Sequence, residues 1–348
     1  MREMSIMDLW MNKSNQTLPA LSAEQTAVME QLASRLTGAS YDKNLFSLSV
    51  QFAADAAAHI NAAHRPVIVA GYSSVRAQAG DALSRLAEDM HIPVIYTDKA
   101  KGIIPCDRRY AVCTLGASEE CQKLIDSADF ILALDTAAEL WELHASCPVM
   151  YLENAREGTA CTLAEALNRI RSLCHQKSMR NTAVRTGKEL FQRDMAFGRN
   201  LSFPMCPEKV LFDVRYCLAL DDILITDAGA AENWVMGYYD CYQPDTCLFT
   251  RSHGTAVIGA AAAKLAKPDK HVLAITDPDG LKRSDFDAMQ QLHAPAAVLV
   301  LHRPGQAPDL SGFGVPVLTV SSAIQLIPLL QRALRAGHPC IISCPAKI

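Results

Sequence analysis

From residue 46 onward, short apolar runs alternate with stretches of helical spacing. RPVIVAG (65–71), IPVIYT (92–97), DFILALD (129–135) and CPVMYLE (147–153) lack the polar alternate positions of a half-exposed strand. Continuous runs of this kind suit strands covered on both faces, as in a parallel sheet. Between them, FAADAAAHINAA, AQAGDALSRLAEDM and CQKLIDSA repeat their apolar residues at helical intervals, and CTLAEALNRIRSLCH (161–175) closes the set. Strand–helix alternation predicts βαβ units with right-handed crossovers.

The rhythm resumes after a polar, basic stretch. A helix is predicted over 207–220, with strands at DILITD (222–227) and CLFT (247–250). Helix 255–265 and strand HVLAIT (271–276) follow, then helix 285–292 and strand AAVLVLH (296–302). Strand VPVLTV (315–320), helix 322–336 and strand PCIISC (339–344) end the series. The expected fold class is α/β, with two doubly wound, mainly parallel-sheet domains. The predicted boundaries are a helical extension over 1–45, a central Rossmann-like domain over 46–176, a linker over 177–205 and a second domain over 206–348. In the extension, Ser22 followed by Gln25 has the spacing of a capping box that opens a helix, which Gly38 stops.

Composition narrows the function classes. The chain has 348 residues, half of them hydrophobic and a fifth charged, with a net charge of −4 and an isoelectric point near 6.2. That balance gives no electrostatic footprint for nucleic acid or an anionic membrane. No apolar run reaches the ~20 residues that span a bilayer, and the first residues are a poor signal peptide, so a cytoplasmic location is expected. The twelve cysteines sit in apolar runs, without C-x-x-C pairs or zinc-like His spacing. They read as buried, reduced thiols.

Candidate chemistry falls at the predicted strand ends, where open parallel sheets bind ligands. Three polar groups lie there: Asp227-Ala228-Gly229, Asp277-Pro278-Asp279-Gly280, and His302-Arg303. An Asp at one strand end beside an oxygen donor at the next can hold Mg²⁺ against a diphosphate. Asp-Pro-Asp-Gly is equally good turn chemistry. The local sequence leaves both readings open.

The order of the pieces resembles a known family. RPVIVAG…IPVIYT…KGIIP…ADFILALD is similar to the middle domain of thiamine-diphosphate-dependent enzymes of the acetolactate synthase, pyruvate oxidase and oxalyl-CoA decarboxylase group. DILITDAGAAENW followed by RSHGTAVIGAAAAKLAKPDKHVLAITDPDG resembles their diphosphate-binding domain, and the likeness spans residues 50–348. It implies a cofactor site of Asp227, Gly229, Ser252, His253, Gly254, Thr255, Asp279, Gly280 and Arg303, with Ser252–Thr255 near the pyrimidine ring. It implies Mg²⁺ at Asp279 and His302. In the family the strand ends in Gly-Asp-Gly and the next leads to Asn-Asn. Here Pro278 replaces the first Gly and has no N–H for a phosphate. His302-Arg303 replaces Asn-Asn; a His nitrogen is a poor Mg²⁺ ligand, and Arg303 is suited to bind phosphate directly. The segment that covers the substrate is short after HRPGQAPDL.

Family members also carry a pyrimidine-binding domain whose Glu activates the cofactor. Residues 1–45 are too few for such a domain, so no catalytic residue is assigned. The central domain lacks the His-Gly and Arg-Phe associated with flavin, so FAD is not expected there. ENWVMGYYDCYQP (232–244) reads as core or as a contact surface. A homo-oligomer, or a complex with a partner bearing the pyrimidine domain, is expected. Three functions follow from the resemblance. The first is a truncated, degenerate homologue, inactive alone and serving as a binding, regulatory or structural subunit. The second is one subunit of a split decarboxylase or carboligase acting on a 2-oxo acid or acyl-CoA. The third is a nucleotide-binding module.

Overall fold

The computed structural model describes residues 21–155, 160–175 and 187–347. They fall into two compact units, one central (Ser40–Arg193 with Cys241–Asp245) and one containing the C-terminal half. The first helix, α1 (Ala23–Thr37), begins with the capping box. Ser22 Oγ accepts the Gln25 N–H at 3.1 Å, Gln25 Oε1 accepts the Ser22 N–H at 2.8 Å, and Gly38 in a left-handed conformation ends the helix.

In the central unit, β1 (Leu48–Ser49) leads into α2 (Val50–Ala62), β2 (Pro66–Ala70), α3 (Tyr72–Arg76), α4 (Gly80–Met90) and β3 (Val94–Tyr96). β4 (Ala111–Thr114), α5 (Glu119–Ser127), β5 (Phe130–Leu134), β6 (Val149–Tyr151), β7 (Ala160–Cys161) and α6 (Leu163–Leu173) follow. β4-β3-β2-β5-β6 form a parallel sheet, and β1 pairs antiparallel with β7. Side chains along β2 and β5 go alternately to two cores. Ile68, Ala70, Leu132 and Leu134 enter one, and Val67, Val69, Ile131 and Ala133 enter the other. Coverage on both faces is the physical reason these strands read as unbroken apolar runs.

The stretch expected as a linker holds α7 (Gly187–Arg199) among the described residues. α8 (Pro207–Cys217), β8 (Ile223–Thr226), α9 (Ala230–Tyr238), β9 (Cys247–Phe249), α10 (Ala256–Ala266) and β10 (Val272–Thr276) come next. α11 (Arg283–Gln291), β11 (Ala297–His302), β12 (Val317–Thr319), α12 (Leu326–Leu334) and β13 (Cys340–Pro345) complete the chain. Its sheet has the order β12-β13-β11-β10-β8-β9, all parallel. α1, α10 and α11 pack together on one side, and α8, α9 and α12 on the other. Val28, Met29, Leu32 and Leu36 of α1 share a core with the alanine-rich α10. α10 can sit so close because its Ala and Gly side chains are small; a Cβ on Gly259 would lie 2.9 Å from Leu32.

Candidate functional site

The chain leaves β8 through α9 in one helical layer and leaves β10 through α11 in the other. β8 and β10 are neighbours, so a crevice opens between their carboxyl ends, the place where doubly wound sheets take ligands. Asp227, the residue after β8, is buried there. Its Oδ2 accepts the Gly254 N–H at 2.8 Å and the Thr276 hydroxyl at 3.0 Å. Burial pushes its carboxyl above the ordinary range, against those two hydrogen bonds, which lower it.

Asp277 is the first residue past β10. Its Oδ1 accepts the Gly280 N–H at 2.9 Å and caps the tight turn Pro278–Gly280. The same carboxylate faces His253, whose Nε2 lies 3.0 Å from Oδ1 and 3.2 Å from Oδ2. Gly280 is packed into the crevice: a Cβ would collide with Thr276 Oγ1 and stand 3.0 Å from Asp227 Oδ2. Gly229 opens α9 with φ +135° and ψ −157°, which essentially only glycine adopts. Gly254, at φ +73°, has the Lys282 side chain laid against it, and the Lys282 ammonium pairs with Glu24 at 3.6 Å.

Of the residues expected from sequence, Asp227, Gly229, His253, Gly254 and Gly280 therefore meet at one crevice. Thr255 is buried beside it, its Oγ1 2.6 Å from the Ser252 carbonyl and 2.7 Å from Thr250 Oγ1, while the Ser252 side chain is exposed. Asp279 and Arg303 are exposed side chains. His302 is buried, and both ring nitrogens are engaged, Nδ1 with the Arg303 carbonyl and Nε2 with Ser343 Oγ, each at 3.0 Å. Asp277 stood in one of the strand-end groups read from sequence but not among the residues implied by the resemblance, and Lys282 stood in neither. The only signal for Asp277 was its position directly after an apolar run; Lys282 had none, because its neighbours Gly254 and Glu24 are distant in sequence.

A Mg²⁺ ion with a diphosphate needs several oxygen ligands free to turn toward it. Asp277 is held by His253 and Gly280, Asp279 points to solvent, and His302 is bonded on both nitrogens. Among the described residues, no group of three His, Cys, Asp or Glu side chains is placed to hold a metal ion. The residues present do not fit a Mg²⁺ site.

The central unit has a corresponding crevice between β2 and β5. Its own carboxylate fills it: Asp135, buried, accepts the Ser73 hydroxyl at 2.6 Å, the Ser73 N–H at 3.0 Å and the Thr136 N–H at 2.9 Å. Gly71 faces this carboxylate so closely that a Cβ would overlap it. The N–H groups that would greet a phosphate at this helix start already hold an anion.

The comparisons with known proteins agree with this two-sheet α/β architecture. Residues 53–141 match the thiamine pyrophosphate enzyme central domain. The chain is 26% identical to the acetolactate synthase large subunit IlvG of Mycobacterium tuberculosis over 342 positions, which cover 83% of this chain and 60% of the relative. It is 21% identical to the acetolactate synthase of Bacillus subtilis, with the same coverage. In fold it resembles the X-ray structure of a protein described as thiamin diphosphate-dependent, isolated from Mycobacterium smegmatis. The TM-score is 0.66 at 18% identity, covering 85% of this chain and 64% of the other. The chain is a relative of the thiamine-diphosphate-dependent enzymes and spans about three-fifths of the length of these acetolactate synthases. Among the described residues, no helix is long and apolar enough to cross a membrane.

Proposed function

We propose that this chain is a degenerate homologue of the thiamine-diphosphate-dependent enzymes that does not catalyse by itself and serves as a binding, regulatory or structural subunit. The observation behind this reading is the His253–Asp277–Gly280 arrangement, in which the carboxylate at the head of the β10 turn is bonded within the protein. With that carboxylate engaged and Asp279 pointing to solvent, the turn serves as a turn, and Asp227 acts as a structural brace between Gly254 and Thr276. The reading includes association with itself or with a partner that brings the pyrimidine-binding domain.

A second reading, one subunit of a split decarboxylase or carboligase, is favoured by the positive-φ glycines Gly229 and Gly254 beside the crevice. Calorimetric titration of thiamine diphosphate, with and without Mg²⁺, separates the two. The first reading expects no Mg²⁺-dependent binding. Micromolar, Mg²⁺-dependent binding that disappears in Asp277→Ala or Asp279→Ala sinks it and favours the second.

A further inference from the structure

The sheet of the C-terminal half has a second opening, at the amino ends of its strands. β10, β11 and β13 run side by side. The residues just before them, His271, Pro295-Ala296 and Gly337-His338, line a cavity of about 350 Å³. Lys264 in the last turn of α10 joins them, as does Arg335 just after α12. The Asp227–Asp277 crevice lies at the other end of the same strands. Val272, Ala297 and Ala333 form the buried apolar wall, and the volume suits a small metabolite.

Two cations line this cavity. Lys264 Nζ donates to the Pro268 carbonyl at 2.8 Å and to the Lys270 carbonyl at 2.7 Å. Both partners are neutral, so the charge and the third N–H of the ammonium remain for a ligand. Desolvation holds this ammonium below its ordinary range, against Asp222 and Asp269, which raise it. Arg335 is exposed at the mouth and carries the planar fork that suits phosphate or carboxylate. The two imidazoles are each anchored by one nitrogen. His271 Nδ1 lies 3.2 Å from Asp222 Oδ2, and Asp222 is fixed in turn by the His271 N–H at 2.8 Å and the Ala219 N–H at 2.7 Å. His338 Nδ1 lies 3.1 Å from the Pro339 carbonyl. A carboxylate and a carbonyl only accept, so each neutral ring carries its proton on Nδ1 and a lone pair on Nε2. With the exposed Asp269 carboxylate, three acceptors stand beside two cations. The acceptors call for hydroxyl donors, and the cations for an anionic head.

We propose that this cavity binds a small hydroxylated anion, with its phosphate or carboxylate head on Lys264 and Arg335 and its hydroxyls on His271, His338 and Asp269. Sugar phosphates and sugar acids share this chemistry. The site is separate from the crevice at the carboxyl ends, so it stands whether or not thiamine diphosphate binds there.

The full chain is titrated calorimetrically with ribose 5-phosphate, gluconate, ribose and inorganic phosphate. The expected result is one-site binding of ribose 5-phosphate or gluconate, at least about tenfold tighter than ribose or inorganic phosphate. The tighter of the two identifies the head group. Arg335→Ala weakens that binding about tenfold or more, and Arg335→Lys, which keeps the charge, falls between it and the wild type. His338→Ala narrows the margin over inorganic phosphate, because it removes a hydroxyl acceptor and leaves the cations. Arg303→Ala, at the other end of the sheet, changes neither. Thermal melts confirm that the variants are folded. Absence of binding up to about 10 mM of either compound, equal binding of ribose or inorganic phosphate, an unchanged margin in His338→Ala, or a loss in Arg303→Ala in place of Arg335→Ala overturns the proposal.

Discussion

His253 Nε2 sits 3.0 Å from Asp277 Oδ1 and 3.2 Å from Oδ2, closing both oxygens of the carboxylate at the head of the β10 turn. The two side chains are 45% and 38% exposed, so the pair is worth no more than about 1 kcal/mol. His253→Ala is accordingly expected to raise divalent-cation affinity by at most about fivefold, read by calorimetric titration of Mg²⁺. A gain of two or more orders of magnitude would mean that a metal site had merely been latched shut.

Two glycines in the crevice are required for different reasons. At Gly280 the difficulty is space: an added methyl meets Thr276 Oγ1 and Asp227 Oδ2, and Gly280→Ala is expected to cost about 1–3 kcal/mol from overpacking. At Gly229 the nearest atom to a Cβ is 3.8 Å away, so Gly229→Ala costs about 1–3 kcal/mol through backbone strain alone. Thr276→Ala removes the obstructing oxygen and should partly offset Gly280→Ala but not Gly229→Ala. Denaturant melts of the two double variants check this; equal offsets would refute it.

Asp285, fully buried in the first turn of α11, has Gln25 Nε2 2.5 Å from Oδ1 and no partner for Oδ2. Burial pushes its carboxyl up to about 6 from 3.8. The folded state then binds more protons than the unfolded state between those values, so this group's contribution falls as pH rises through that window and is greatest below about pH 4. The change is on the order of 3 kcal/mol. Asp285→Asn should flatten the dependence of stability on pH between about 4 and 6 relative to the wild type. Parallel curves would refute the assignment.

Asp135 fills the central crevice as an internal anion. Asp135→Asn weakens its bonds to the Ser73 and Thr136 N–H groups and leaves one of these donors poorly satisfied. A loss of about 1–3 kcal/mol is expected in urea unfolding, with no gain of ADP or FAD binding. Tight nucleotide binding to the wild-type protein would contradict the filled-crevice picture.

Where strands are covered on both faces, the sequence announced them. Val67–Ala70, Phe130–Leu134, Val272–Thr276 and Ala297–His302 all stand as apolar runs because each side chain enters one core or the other. β4, Ala111–Thr114, was not anticipated: it is a half-buried edge strand of four residues with a shifted register against β3, and its pattern carries little burial signal. β1 and β7 are two residues each, too short for periodicity to register.

The sequence by itself determined the alternation of elements, the parallel sheets, the capping box at Ser22 and the polar strand ends, since burial and capping are written in local residue order. It also placed Asp227, Gly254 and Gly280 among the candidates. Only the tertiary structure decided which carboxylate of Asp277-Pro278-Asp279-Gly280 faces the crevice, because a single tight turn puts Asp277 inward and leaves Asp279 in solvent. It also turned His302 toward Ser343, 41 residues away on the neighbouring strand, and set His253 against Asp277. Those pairings join residues brought close by the sheet order, which local sequence does not encode.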